Sequence, residues 1–283
     1  MSVEALIRPL TVITVFALVL SVGLRVNFSE IVAATRNPGM VARSLLANFV
    51  IAPLVILGIA LVFDLPTDIS IGMMLMAAAP FAPMAPAFVG IGKGNVRVAA
   101  GHMVIYCVLA VFFTPPLCRL LFTMLPDAGE VEFNVGAIIL SLVITVFAPL
   151  AIGLAVHEFA PKVAARLLRP VNVSSLVILV VAVVLIFADQ YDELSTLGVI
   201  VFSAMILSTE IPLAVGYALG GPGTDTRRAI GMGTGVRNLG IALLIATDSF
   251  AGTPVLLSVM AYSLVLILLG LAHAAYWSRR PPQ

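Results

Sequence analysis

From Asn134 to Val156 the chain carries no charged residue, and Val171 to Ala188 repeats the pattern. About twenty apolar residues are what a helix needs to cross the hydrocarbon core of a bilayer. In that medium every backbone N–H and C=O must be satisfied internally, so only helices and closed barrels can span it. These runs are about twice the length of a barrel strand, which selects the helix. Nine such spans can be read, at 7–24, 40–63, 68–91, 98–124, 134–156, 170–189, 195–220, 227–249 and 253–276. The expected fold is an all-α polytopic membrane protein of nine transmembrane helices in one integral membrane domain. With 61% hydrophobic and 10% charged residues, almost nothing remains for a soluble domain.

The connections are short, and the longest, His157–Arg169, alternates basic with apolar residues as a helix lying on the membrane surface would. Charge is strongly sorted among them. Arg25, Arg36, Arg43, Lys93, Arg97, Lys162, Arg166, Arg169, Arg227, Arg228, Arg279 and Arg280 fall on one side, with the C-terminal tail. The other side holds Asp64, Asp68, Asp127, Glu130, Glu132, Asp189, Asp192, Glu193 and Asp248, and no Lys or Arg. The positive-inside rule puts the C-terminus in the cytoplasm and the N-terminus outside, which requires an odd number of spans. A bacterial inner membrane is the expected location. The N-terminus lacks a small-residue cleavage site, so its first run reads as a retained span. Arg8 and Arg119 lie near span ends, where long side chains can snorkel to the interface. Arg237 has no such escape.

A net charge of +1, spread as loop punctuation, leaves no footprint for nucleic acid. Cys107 and Cys118 fit no disulfide or metal framework. No nucleophile–base pair, phosphate loop or metal-ligand cluster is visible, so neither an enzyme nor a cofactor or metal is expected.

Two spans are interrupted. Pro80, Pro83 and Pro86 fall at intervals of three in span three, each removing a backbone donor and clashing with the turn before it. Span eight holds Gly231, Gly233, Gly235 and Gly240 around Arg237 and Asn238. Glycine costs a helix about 1 kcal/mol against alanine, so the whole stretch Gly231–Gly240 is expected to be broken. The two spans run in opposite directions and are each penultimate in their half of the chain. That is the signature of an inverted repeat with a midplane site, here residues 1–125 and 126–283. Half-helix N-termini and a fixed arginine at such a site predict an organic anion as substrate.

Phe16–Glu30, Asn48–Pro53, Lys93–Val96, Thr114–Pro115 and Gly235–Asn238 follow one another in an order that resembles the bile acid:sodium symporter family over nearly the whole chain. The resemblance implies panel and core bundles, crossed broken helices, and a nine-span variant of a ten-span plan. It also implies sodium ligands at positions occupied here by Ala85, Pro86, Tyr106, Cys107, Gly233 and Arg237, with Asn48 and Asn238 keeping amides. Sodium coupling through these positions is therefore not expected. A guanidinium ~4 Å from a cation costs roughly 4 kcal/mol at an effective dielectric near 20.

The expected substrate-contacting residues are Arg237, Asn238, Asn48, Met84, Pro86 and Gly233, with Phe81 and Met232 beside them. Glu210 reads either as an ion-pair partner of Arg237 or as a carrier of coupling protons. His102 reads as a satisfied interfacial histidine or as a proton relay. The resulting expectation is a secondary transporter of an organic anion by alternating access. Two alternatives remain open: a non-transporting receptor or scaffold of the same fold, and an inverted-repeat permease of the auxin- or arsenite-efflux type.

Overall fold

The computed structural model describes residues 3–126, 133–189 and 197–280. Asp127, Glu130, Glu132, Asp192 and Glu193, used above to orient the chain, lie outside the described residues, as does the side chain of Asp189. The described elements are α1 (Val3–Arg25), α2 (Phe28–Thr35), α3 (Pro38–Val62), α4 (Thr67–Ala78), α5 (Ala85–Ile91) and α6 (Val96–Thr123). They continue with α7 (Val135–Phe159), α8 (Pro161–Asp189), α9 (Val199–Leu219), α10 (Thr224–Gly235), α11 (Leu239–Ser249) and α12 (Val255–Ser278).

Eight stretches among them are long and apolar enough to cross a membrane, taking α10 and α11 together. Span three corresponds to α4 plus α5, neither long enough alone. Five asparagines set helix starts. The side chains of Asn27, Asn37, Asn95, Asn134 and Asn238 accept backbone N–H groups of the first turns of α2, α3, α6, α7 and α11. Such caps satisfy donors that a helix cannot pair with itself.

Three expectations need correction. The connection 157–169 is not a separate surface helix: α7 runs to Phe159 and α8 starts at Pro161, continuing through Pro170 to Asp189. Pro161 stands at the start of α8, where a missing N–H costs nothing. Asn27–Pro38 is not all loop, because Asn27 and Glu30 form a capping box that starts α2. The glycine stretch is not broken throughout either. α10 stays helical through Gly231, Gly233 and Gly235. The break is confined to Val236–Asn238, because each helical glycine admits a close neighbour: Tyr217 at Gly231, Phe81 at Gly233 and Leu213 at Gly235. Packing at sites where only glycine fits offsets the propensity cost.

α1 packs on α7 and α8, while α3, α4, α6, α9, α10 and α12 pack on one another around the two breaks. α1 also meets α11, joining the two groups. The α1–α7 crossing is closest at paired glycines. A Cβ at Gly23 would lie 2.5 Å from the Leu150 carbonyl oxygen, and one at Gly153 would lie 2.7 Å from that of Leu20. Gly58, in α3, has open space within 4 Å. Gly153→Ala should destabilise by about 1–3 kcal/mol through overpacking, whereas Gly58→Ala should be neutral or stabilise by up to about 1 kcal/mol. Thermal unfolding of both variants in one detergent should give shifts of opposite sign.

Candidate functional site at the crossed breaks

The breaks cross and hold each other by main-chain bonds. Ala82 N–H donates to Val236 O at 3.0 Å, and Asn238 N–H donates to Ala79 O at 2.9 Å. The prolines determine which oxygens are left over. Pro80 stands four residues after Met76 and has no N–H to give it. Phe81, which would serve Ala77, has left the helix with φ 47°. In α3 the chain makes a π-bulge in which Ala52 N–H bonds to Ala47 O. Asn48 O then falls to residue 53, a proline.

Ala79 N–H, one residue before Pro80, still donates to Met76 O at 3.2 Å, and Arg237 takes that oxygen together with the orphaned oxygens of Ala77 and Asn48. Its Nε donates to Met76 O at 3.2 Å, one terminal nitrogen to Asn48 O at 3.1 Å and to Ala77 O, and the other to Asn48 Oδ1 at 3.0 Å and, more distantly, Thr234 O at 3.5 Å. Arg237 is 0% exposed. Among the described residues no carboxylate bonds to it. The C-terminal ends of α4 and α10 both point here, and two helix C-termini at about −0.5 charge each balance one guanidinium.

The cage extends into polar side chains. Asn48 Nδ2 donates to Thr234 Oγ1 at 2.9 Å and to Ser44 O at 3.2 Å. Ser44 Oγ and the Tyr106 hydroxyl share a bond of 2.7 Å. The Tyr106 ring stacks on Phe81 at 5.3 Å and 14°. Phe81 in turn fills the space a side chain at Gly233 would need. Among the positions the resemblance assigns to sodium ligands, Arg237 thus fills the oxygen cage with its guanidinium, Tyr106 stacks on the Phe81 ring that occupies the space beside Gly233, and Ala85 and Cys107 are buried and offer no side-chain oxygen.

A cavity of about 400 Å³ opens on the other side of the crossing. Its wall is mostly apolar, from α1, α5, α6 and α8, with Asn238, Leu239 and Gly240 at the second break. Asn238 uses Oδ1 to cap α11, accepting Ile241 N–H at 3.3 Å. Its Nδ2 has no hydrogen-bond partner among the described residues, although the residue is 2% exposed. Arg25 and Glu30 stand at one end of the wall, and Arg25 is exposed.

Of the residues expected to contact substrate, Asn238, Met84 and Pro86 line this cavity. Arg237, Asn48 and Gly233 do not, and neither do Phe81 and Met232, both of which are buried in the core. The chain is non-helical on both sides of Arg237, extended at Val236, and the Arg237 side chain enters the oxygen cage while Asn238 lines the cavity. The expected Glu210–Arg237 pair is corrected. Glu210 accepts from His273 Nε2 at 2.8 and 3.0 Å, between α9 and α12, with side chains 34% and 27% exposed. His102 is fully buried rather than interfacial, because α2 covers the start of α6, where Gly101 abuts Ala34. Its Nδ1 bonds Val98 O at 2.9 Å, and Nε2 has no partner among the described residues.

Sequence reasoning missed Thr234, Arg25 and His273. Thr234 lay inside the glycine stretch as its one hydroxyl. Arg25 was read as loop punctuation, and only the three-dimensional path of α1 brings it to the cavity. His273 carried no signal of its own.

Comparison with known proteins places this architecture. Residues 12–197 match the family model described as Sodium Bile acid symporter family. The chain is 26% identical over 273 residues to the "Uncharacterized sodium-dependent transporter YocS" of Bacillus subtilis (strain 168), covering 95% of this chain and 83% of that protein. It is also 26% identical over 272 residues to "Probable sodium/metabolite cotransporter BASS2, chloroplastic" of Oryza sativa subsp. japonica. That match covers 93% of this chain but 62% of the rice protein. With crossed broken helices and a family match over most of its length, the chain belongs to the sodium bile acid symporter family of membrane transporters.

Proposed function

We propose that this protein is a secondary transporter of an organic anion, working by alternating access between the α1–α7–α8 panel and the core that holds the crossed breaks. Its two inverted repeats are residues 1–125 and 126–283, crossing a bacterial inner membrane nine times with the N-terminus outside and the C-terminus inside. The observation that carries the substrate class is the free Asn238 Nδ2. It is a buried hydrogen-bond donor in the wall of an apolar cavity, at the positive end of α11. Arg25 at the inner end of that wall supplies a cation where an anion would enter or leave. The named relatives are sodium-dependent or sodium/metabolite transporters. In this chain Arg237 stands in the place of a bound cation, and transport proceeds without sodium at the crossing. The receptor alternative has less support, because a scaffold has no use for an orphan donor facing a cavity.

Asn238→Asp tests the carrying observation, since it keeps the capping oxygen and replaces the donor by a negative charge. Uptake of carboxylates into vesicles should be abolished, while the thermal midpoint changes little. Normal uptake by this variant would remove Asn238 from the site.

Replacing sodium by choline should leave wild-type uptake unchanged. Arg237→Gln vacates the cage, so sodium should raise the thermal midpoint of that variant and not of the wild type. Strict sodium dependence of wild-type uptake would overturn the reading.

Glu210 and His273 pair away from the cavity. Glu210→Gln should lower the thermal midpoint yet leave the pH profile of uptake superimposable on the wild type. Loss of pH dependence would instead make Glu210 the carrier of coupling protons.

A further inference from the structure

Two of the buried polar atoms without a partner among the described residues, the hydroxyls of Thr11 and Thr14, lie on α1. Arg8, Thr11, Val15, Leu18, Val22 and Arg25 succeed one another at steps of three and four, which stacks them in a single stripe. From Val15 to Arg25 this stripe lines the cavity. From Arg8 to Thr14 it does not, although the helix face is the same.

In that closed half, Thr11 and Thr14 are 0% and 1% exposed. Neither hydroxyl has a hydrogen-bond partner among the described residues. A helical threonine can bond the carbonyl one turn back; two close neighbours that do not are a feature needing an explanation. The division between the halves lies at Val15, which packs against Gly240 at the second break, 3.4 Å from where a Cβ would stand. Beyond Thr11 the stripe ends in a clasp. Arg8 Nε donates to Asp248 Oδ1 at 2.9 Å, and Ser141 Oγ donates to Asp248 Oδ2 at 3.0 Å. This joins α11 of the core to α1 and α7 of the panel. The Arg8 side chain is 68% exposed, so water competes for the pair and the clasp is weak. Arg8 and Arg25 are thus two guanidinium groups at opposite ends of one helix face, about 26 Å apart at 1.5 Å per residue.

We infer that the Arg8–Thr14 half of the stripe is the outer half of the translocation path, closed here by the Arg8–Asp248–Ser141 clasp. In the outward-open state Arg8 leaves Asp248 and receives the incoming anion, and the Thr11 and Thr14 hydroxyls line its way to Asn238. This rests on the alternating-access reading above. It explains why a weak pair bridges the two bundles, and why two hydroxyls are buried without partners: they have partners in the other state.

Accessibility from the Arg8 side of the membrane tests it without a substrate. In protein carrying Cys107→Ala and Cys118→Ala, Thr11→Cys should react slowly with a membrane-impermeant thiol reagent. Adding Asp248→Asn should raise that rate by roughly tenfold, a modest shift of a two-state equilibrium. Ile13→Cys, 52% exposed on the outer surface of α1, should react at a rate indifferent to Asp248→Asn. The exchange Arg8→Asp with Asp248→Arg re-forms the pair and should return Thr11→Cys to slow labelling, which separates gate opening from misfolding. A Thr11→Cys rate unmoved by Asp248→Asn, or one the exchange fails to restore, overturns the outer path. A rate that responds as expected in protein that moves no carboxylate keeps the gate and removes the transport reading instead.

Discussion

One guanidinium set against five oxygen acceptors decides how the two halves of this protein meet. An arginine at bilayer depth costs at least about 2.5 kcal/mol on insertion scales. A buried acceptor left unsatisfied costs about 1–3 kcal/mol. Either liability alone would argue against the fold, but together they cancel. Two of the acceptors are left over because prolines interrupt the donor pattern: Pro53 stands five residues after Asn48, and Phe81, next to Pro80, has left the helix that would have paired it with Ala77. Two helix C-termini add the countercharge that an acidic residue would otherwise provide. The crossing is therefore a folded consequence of proline placement, completed by Arg237.

The same crossing has a second side. Its carbonyl-rich ends surround Arg237, whereas the start of α11 and its cap Asn238 border the cavity. Non-helical backbone at Val236 and Asn238 lets the adjacent Arg237 and Asn238 serve different sides of the crossing. The named relatives are described as sodium-dependent or sodium/metabolite transporters, whereas at the crossing of this chain its own side chains fill the space. An ion that must enter and leave is a coupling device, while a tethered cation is a fixed part of the structure. On the proposed reading Arg237, bonded to five oxygens of the protein, is a structural element of the core and does not grip the substrate.

The large-scale features were readable because the bilayer leaves so few options. Apolar run length gave the helices, and the Pro80–Pro86 series gave the first break. What failed did so where packing overrode local preference. Gly231, Gly233 and Gly235 read as helix breakers but serve as contact points, because Tyr217, Phe81 and Leu213 occupy the room they leave. Glu210 read as a partner of Arg237 because both are charges at depth. The structure joins it to His273, a pairing across α9 and α12 that depends on helix rotation, which hydropathy does not encode. Asn238, one of the residues expected at the site, lines the cavity, but the role proposed for it turns on one nitrogen unpaired among the described residues, which no sequence pattern specifies.

With Arg237 committed to four backbone oxygens and Asn48 Oδ1, the anion recognition proposed above has to come from weaker elements spread along the path. Asn238 offers one donor, the α11 terminus a partial charge, and Arg25 and Arg8 two full charges at the ends of one helix face. This distribution suits a carrier better than a deep ionic trap would. A buried guanidinium gripping a carboxylate would be coupled to it by about 1.5–7 kcal/mol in the occluded state, and that coupling would have to be lost again at each release. The apolar wall can instead supply affinity in proportion to the surface it covers, about 25 cal/mol per Å². Its exposure to water changes as the panel and core part. Motion and affinity are then linked through the same surface, and the fixed charge at the crossing keeps that surface rigid on the core side.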